Sequence, residues 1–154
     1  MNDPKILKSQ IRDVKFGKNV TIVEPANLYE CTIGDDCFIG PFVEIQNNVK
    51  IGKRCKIQSH AFVCELVTIE NDCVISHGVM FINDLYSSGG PAHGNKDLWK
   101  ATHVASHVSI GTNSTILPVT ICSNVVIGAG SVVTKDITVS GVYAGNPARL
   151  LQKL

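Results

Sequence analysis

From Ile33 to Phe81 a large aliphatic or aromatic residue returns every six positions: Ile33, Ile39, Ile45, Ile51, Ile57, Val63, Ile69, Ile75 and Phe81. No helix has that period, and a lone strand alternates at two rather than six. A fixed short repeat marks a β-solenoid, and hexapeptides are the repeat of a parallel β-helix. Four residues after each large residue stands a small or β-branched one: Cys37, Val43, Val49, Cys55, Ala61, Val67, Cys73 and Val79. The position following the large residue often holds the turn-former glycine, as at Gly34, Gly40 and Gly52. The pattern predicts an all-β chain of stacked hexapeptide coils.

The same register runs through the rest of the chain, with informative breaks. Upstream it starts at Phe16-Gly17, Ile22 and Leu28 and loses one residue before Ile33. Downstream it resumes at Val104, Ile110-Gly111 and Ile116, drops a residue before Ile121, and continues through Ile127-Gly128 and Val133. Three hexapeptides close one triangular coil, so equivalent positions recur every 18 residues and five to six coils are expected. Cys37, Cys55 and Cys73 obey that spacing. They are predicted to stack as a buried ladder of free thiols at about 4.8 Å, the ordinary gap between strands. Coils that cannot be stable alone gain a continuous core by stacking.

Composition narrows the class. The 154 residues are 44% hydrophobic, which predicts one domain over 1–154 with a substantial core. Only 18% are charged and the net charge is +1, which argues against nucleic acid or a membrane surface as partner. Apolar runs are far shorter than a membrane span. The start, Met1-Asn2-Asp3-Pro4-Lys5, lacks the apolar core of a signal peptide, so a cytoplasmic location is expected. Reduced cysteines fit that compartment, and Cys31, Cys64 and Cys122 form no C-x-x-C or zinc-knuckle spacing. The run from Ile57 through Ile69 carries only Glu65 as a charge, which suggests a flank for subunit packing.

One interruption is large. After Phe81 the next repeat start is Val104, and the residues between contain three glycines, a proline and the one tryptophan, Trp99. Such a stretch cannot continue a coil, so a loop over 84–102 is predicted to be extruded. An otherwise regular stack that ejects one long loop commonly does so for a partner or ligand. The loop mixes amide, carboxylate, aromatic and imidazole groups, at Asn83, Asp84, Tyr86, His93 and Trp99. Asn83-Asp84 is equally an ordinary turn signal.

The Ile-Gly-x-x-Cys/Val-x repeats, the loop between coils and the terminal Gly128-Ala129-Gly130-Ser131-Val132-Val133-Thr134-Lys135-Asp136 and Gly145-Asn146-Pro147-Ala148-Arg149 resemble the hexapeptide acyltransferases. The resemblance covers almost everything from Phe16 onward. It implies a left-handed parallel β-helix with one extruded loop and a short C-terminal segment. It also implies a homotrimer and acetyl-coenzyme A (acetyl-CoA) bound between subunits as cosubstrate. Left-handedness comes from the resemblance alone, since parallel crossovers are generally right-handed. Met80-Phe81-Ile82-Asn83-Asp84-Leu85-Tyr86 is similar to the segment of N-acetyltransferases that act on nucleotide-linked 3-amino-deoxyhexoses, where the asparagine lies beside the sugar amine. Relatives commonly continue with proline and arginine where this chain has Ser87-Ser88, so a substrate that needs a cation there, such as a uronic acid, is not implied.

The resemblance therefore implies N-acetylation of a dTDP- or UDP-linked amino sugar for surface polysaccharide synthesis. N-acetyl transfer needs a neutral amine about 3 Å from the thioester carbon and donors for the oxyanion. Asn83 would hold the amine and Asp84 would favour the incoming ammonium, with Tyr86, Trp99 and His77 on the substrate side. His107 is the candidate base, although an amine needs less help than a hydroxyl. On the coenzyme side Ala129 would line the pantetheine arm. Thr134, Lys135 and Arg149 would meet the phosphates, and Asn146 and Pro147 the adenine end. Two alternatives remain at this point. One is O-acetylation of a sugar or serine hydroxyl through His107 or His77. The other is a zinc protein like the γ-class carbonic anhydrases, which share the solenoid; His103-x-x-x-His107 with His77 matches their three-histidine spacing poorly, and no metal site is expected.

Overall fold

Strands of two or three residues separated by tight corners account for most of the chain in the computed structural model, which describes residues 9–87 and 89–154. The leading Met1–Lys5 stretch and Ser88, both used in the sequence reading, lie outside the described residues. The strands stack in parallel into three sheets that form the faces of a triangular prism. Face one holds Ile11–Arg12, Asn27–Tyr29, Glu44–Ile45, Phe62–Val63, Met80–Phe81, Thr115–Ile116 and Val132–Val133. Face two runs from Lys15–Phe16 through Thr32–Ile33, Lys50–Ile51, Val67–Ile69 and Thr102–Val104 to Thr120–Ile121. Face three runs from Thr21–Ile22 to Val125–Ile127 and is closed by Gly141–Ala144 and the antiparallel Arg149–Lys153. The chain is a left-handed parallel β-helix of hexapeptide repeats.

Register follows the six-residue pattern. Ile33 pairs with Ile51, Ile51 with Ile69 and Ile69 with Val104 on face two, while Ile39, Ile57, Ile75 and Ile110 stack on face three. All are at most 3% exposed, because the inward position of every strand projects into one shared core. The cysteine ladder is present: the Cys55 amide N–H points at Cys37 Sγ at 3.4 Å, and all six cysteines are free thiols. Ser114 and Ser131, which replace valine or alanine in one inward column, keep their hydroxyls bonded to the Gly128 carbonyl at 3.1 and 2.6 Å. That contact satisfies groups otherwise costly to bury.

Most corners are turned by a residue in the left-handed region. The first edge, between faces one and two, uses Asp13, Glu30, Asn48 and Leu66. The second uses Asn19, Asp36, Arg54, Asp72, His107 and Asn124, and the third uses Phe42, His60, Gly78, Asn113 and Gly130. Among residues with a side chain Asn and Asp tolerate this conformation best, which explains their recurrence.

Two sequence expectations need correction. Face one has seven strands, so the stack is seven coils rather than five to six; Ile11 pairs with Leu28 and starts a coil ahead of Phe16. Ile11, 37% exposed, belongs to the first strand of face one among the described residues, and so carries a weaker burial signal. The run Ile57 to Ile69 is not one flank: Ile57 lies on face three, Val63 on face one and Ile69 on face two. Its lone charge, Glu65, is 4% exposed and faces this chain's own loop. Among the described residues no helix is long and apolar enough to cross a membrane.

Candidate functional site

The loop leaves face one after Met80–Phe81 and returns to face two at Thr102–Val104, replacing the first-edge corner that Glu65-Leu66 makes one coil earlier. Its neck is closed by backbone contacts. Asp84 and Trp99 form an antiparallel bridge, the Lys100 N–H donates to the Asn83 carbonyl at 2.8 Å, and the Thr102 N–H donates to the Leu66 carbonyl at 3.2 Å. Farther out, Lys96–Leu98 forms a 3-10 turn capped by the Asn95 side chain, which accepts from the Asp97 N–H at 3.1 Å.

That turn aims Lys96 back at the solenoid. Its Nζ lies 2.7 and 3.0 Å from the two carboxylate oxygens of Glu65, and the Asn48 amide donates to the same carboxylate at 2.9 Å. The Glu65 N–H donates to Gln46 Oε1 at 3.3 Å. Burial alone would raise the Glu65 pKa; hydrogen bonds from Lys96 and Asn48 and the Lys96 charge outweigh it and hold the carboxyl below its ordinary value.

Asn83 stands at the root of this neck. Its side-chain amide N–H donates to the Glu65 backbone carbonyl at 3.2 Å, and among the described residues its Oδ1 accepts no hydrogen bond. Asp84 accepts from the Tyr86 N–H at 2.7 Å, so one of its oxygens is occupied by an Asx turn. Tyr86 is 63% exposed, and Trp99 is half-buried with the Lys96 ammonium 5.8 Å from its ring centre.

Within one chain the histidines do not join Asn83. His107 is an exposed corner on the second edge, and His77 lies on the third edge, where its Nδ1 is 2.8 Å from Ser59 Oγ. His60 stacks on Phe42 at 4.9 Å on that same edge, His103 meets Glu70 at 3.1 Å on face two, and His93 is exposed in the loop. Among the described residues no three His, Cys, Asp or Glu side chains gather as a metal site.

The coenzyme candidates divide similarly. Ala129 is exposed on the third edge, beside the turn that holds Asn146 and Pro147: the Val132 N–H donates to the Gly145 carbonyl at 2.9 Å. A side chain at Gly111 would meet the Ala129 amide nitrogen at 2.5 Å, so this edge stacks backbone on backbone and stays thin. Arg149 begins the closing strand on face three. Thr134 and Lys135 lie across face one on the first edge, two coils beyond Asn83, next to Asp136, which accepts from the Thr120 N–H at 2.8 Å.

Two features escaped the sequence reading. One is the Glu65–Lys96 pair, for which the signal was a lone acid inside an otherwise apolar run. The other is a groove of about 580 Å³ along the first edge and face two, lined among others by Lys15, Asn48, Lys50, Leu66 and Ala101.

Residues 30–65 match the family described as bacterial transferase hexapeptide (six repeats), and residues 106–135 match the hexapeptide repeat of succinyl-transferase. A Staphylococcus aureus protein, SAV2555, provisionally named an acetyltransferase, is 33% identical over 96% of this chain and 80% of its own length. The bifunctional protein GlmU of Heliobacterium modesticaldum is 30% identical over 92% of this chain, which spans only 32% of that protein. Among solved structures, a point mutant of AntD, an N-acyltransferase from Bacillus cereus in complex with dTDP and coenzyme A, superposes with a TM-score of 0.80 at 26% identity, covering 90% of this chain and 83% of AntD. A galactoside acetyltransferase in complex with coenzyme A gives 0.68 at 30% identity, over 79% of this chain and 64% of that one.

Proposed function

This chain belongs to the hexapeptide-repeat acyltransferases, and from that premise we propose that it acetylates the amino group of a nucleotide-linked amino-deoxy sugar, using acetyl-CoA. The product would serve surface polysaccharide synthesis. The observation that carries this reading is the likeness to AntD over nine-tenths of the chain, joined to an extruded loop whose root is an asparagine with no acceptor bond at its amide oxygen among the described residues.

In the proposed reaction the sugar amine attacks the thioester carbonyl carbon. An N–C bond forms, the C–S bond breaks, and the proton shed by nitrogen leaves with the coenzyme thiol. Asn83 Oδ1 accepts one amine N–H and turns the lone pair toward the thioester, a positioning role that needs no change in protonation. The free oxygen of Asp84 favours approach of the ammonium form, and Tyr86 and Trp99 supply aromatic surface beside the sugar. Ala129, Asn146, Pro147 and Arg149 on one side, and Thr134 and Lys135 on the other, are the proposed coenzyme contacts.

In the proposed homotrimer, the two sides would come from neighbouring copies. Face one shows Phe62 and the 41% exposed Met80, and it is flanked by the first edge, with Asn83, and the third edge, with His77 and Ala129. Packing face one around a threefold axis would set the first edge of one copy beside the third edge of the next. The test of the whole reading is coenzyme A release measured across dTDP- and UDP-linked amino sugars. Turnover on at least one is expected; turnover confined to hydroxyl acceptors would replace N- with O-acetylation.

A further inference from the structure

We propose that the first-edge groove binds the nucleoside diphosphate of the acceptor, with Lys50 at the diphosphate and Lys15 at the nucleoside end. This rests on the reading of the acceptor as a nucleotide-linked sugar, and assigns where on the chain its nucleotide lies.

Position argues for it first. The groove ends at Ala101, between Lys100, whose N–H is bonded to Asn83, and Thr102, whose N–H is bonded to Leu66. It then runs along the first edge toward the N-terminal coils, away from Lys135. Asn83 therefore has the groove on one side and the coenzyme candidate on the other, the arrangement a two-substrate transfer requires.

Register supplies a second argument. Lys15 pairs with Thr32, Thr32 with Lys50, Lys50 with Thr68 and Thr68 with His103, so all share one outward column on face two. Rungs are about 4.8 Å apart, which sets Lys50 about 10 Å and Lys15 about 19 Å from the coil that carries Asn83. One hexose separates a sugar amine from its diphosphate, and the nucleoside follows. The two lysines thus fall at the matching distances.

Chemistry agrees. Among the described residues Lys15 and Lys50 enter no salt bridge, whereas Lys53, Arg54, Arg12 and Lys96 do. The Thr32 and Thr68 hydroxyls and the Asn48 amide add donors, and Leu66, Val49 and Cys31 give an apolar floor. Two carboxylates also line the groove. Glu30 is engaged by Arg12 at 3.5 Å, and with Asp13 it offers acceptors to ribose hydroxyls or a base N–H. The volume suits a nucleotide.

The same chemistry occurs in the adenosine end of coenzyme A, so the test must separate the two. Titrating dTDP and UDP into the wild-type protein, Lys50→Ala and Lys50→Arg by calorimetry, with coenzyme A titrated in parallel, does so. Lys50 is exposed, so unchanged circular dichroism is expected of the variants. Lys50→Ala is expected to weaken dTDP or UDP binding about tenfold, with Lys50→Arg recovering most of it and coenzyme A unaffected. Unchanged dTDP and UDP affinity in Lys50→Ala overturns the groove assignment while leaving the amino-sugar reading intact. Weakened coenzyme A alone would assign the groove to the cosubstrate instead. A wild-type protein that binds neither nucleotide overturns both.

Discussion

Lys96, in the extruded loop, lies 2.7 Å from Glu65, a carboxylate only 4% exposed on the solenoid wall, and the backbone carbonyl of that same Glu65 accepts the side-chain amide of Asn83. One residue thus ties the outer turn of the loop and its root to a rigid coil. The loop is long, but its candidate amide is held from the core side.

Removing the cation should loosen this arrangement. Lys96→Ala leaves Glu65 buried with the Asn48 amide but no charge partner. Because Lys96 is itself more than half exposed, we expect a cost of about 1–2 kcal/mol rather than that of a fully buried pair. Thermal melting should show a drop of a few degrees, and the turnover number should fall together with it. A loop cut no faster by protease than in the wild-type protein would argue that the latch is idle.

The same pair sets an acid limit. The folded-state pKa of Glu65 is lowered, so its contribution to stability is present above the ordinary glutamate pKa and is lost as pH falls through the lower folded value. At neutral pH the Glu65 carboxylate is ionised. Glu65→Gln should flatten the stability profile below about pH 4.5. Denaturant melts at a series of acidic pH values measure this directly, and identical slopes in the two proteins would contradict it.

Asn83→Ala should lower turnover about 10- to 1000-fold, the range for losing one positioning or oxyanion-type contact. His107→Ala should cost far less, since an amine acceptor is deprotonated without much help. Near-complete loss in His107→Ala would point to a hydroxyl acceptor. Full activity of Asn83→Ala on every accepted amino sugar would reduce the Phe81–Tyr86 segment to a turn.

Lys135 should behave in the opposite sense. Lys135→Ala is expected to raise the KM for acetyl-CoA while sparing kcat at saturation, the mark of binding shared by ground and transition states. Steady-state kinetics with acetyl-CoA varied decide the matter. A fall in kcat without a change in KM would remove Lys135 from the coenzyme site.

Ile57 is fully buried, stacked between Ile39 and Ile75. Ile57→Asp places a charge there with no partner and should cost several kcal/mol, enough to abolish cooperative folding. Soluble protein with a wild-type melting curve would mean the stacking register differs from that described.

How much of this was legible beforehand follows from which side of each strand a residue occupies. Inward positions repeat because every coil must close over one core, so Ile33 to Phe81, the cysteine ladder and the break after Phe81 could be read from residue identity alone. The period weakens where burial weakens, and that is why the pattern does not show the first coil, at Ile11. Outward positions obey no such constraint. Lys96 and Glu65 are 31 residues apart, and Lys15 and Lys50 belong to coils two rungs apart. Asn83 and His77 are only six residues apart yet fall on different edges, and His107 falls on a third. Residue types alone specify the coil, its core and the place of the loop, because hydrophobic burial is written in side-chain type. Which polar groups meet depends on the folded stack, because stacking brings together residues whole coils apart and each corner turns the next strand onto another face.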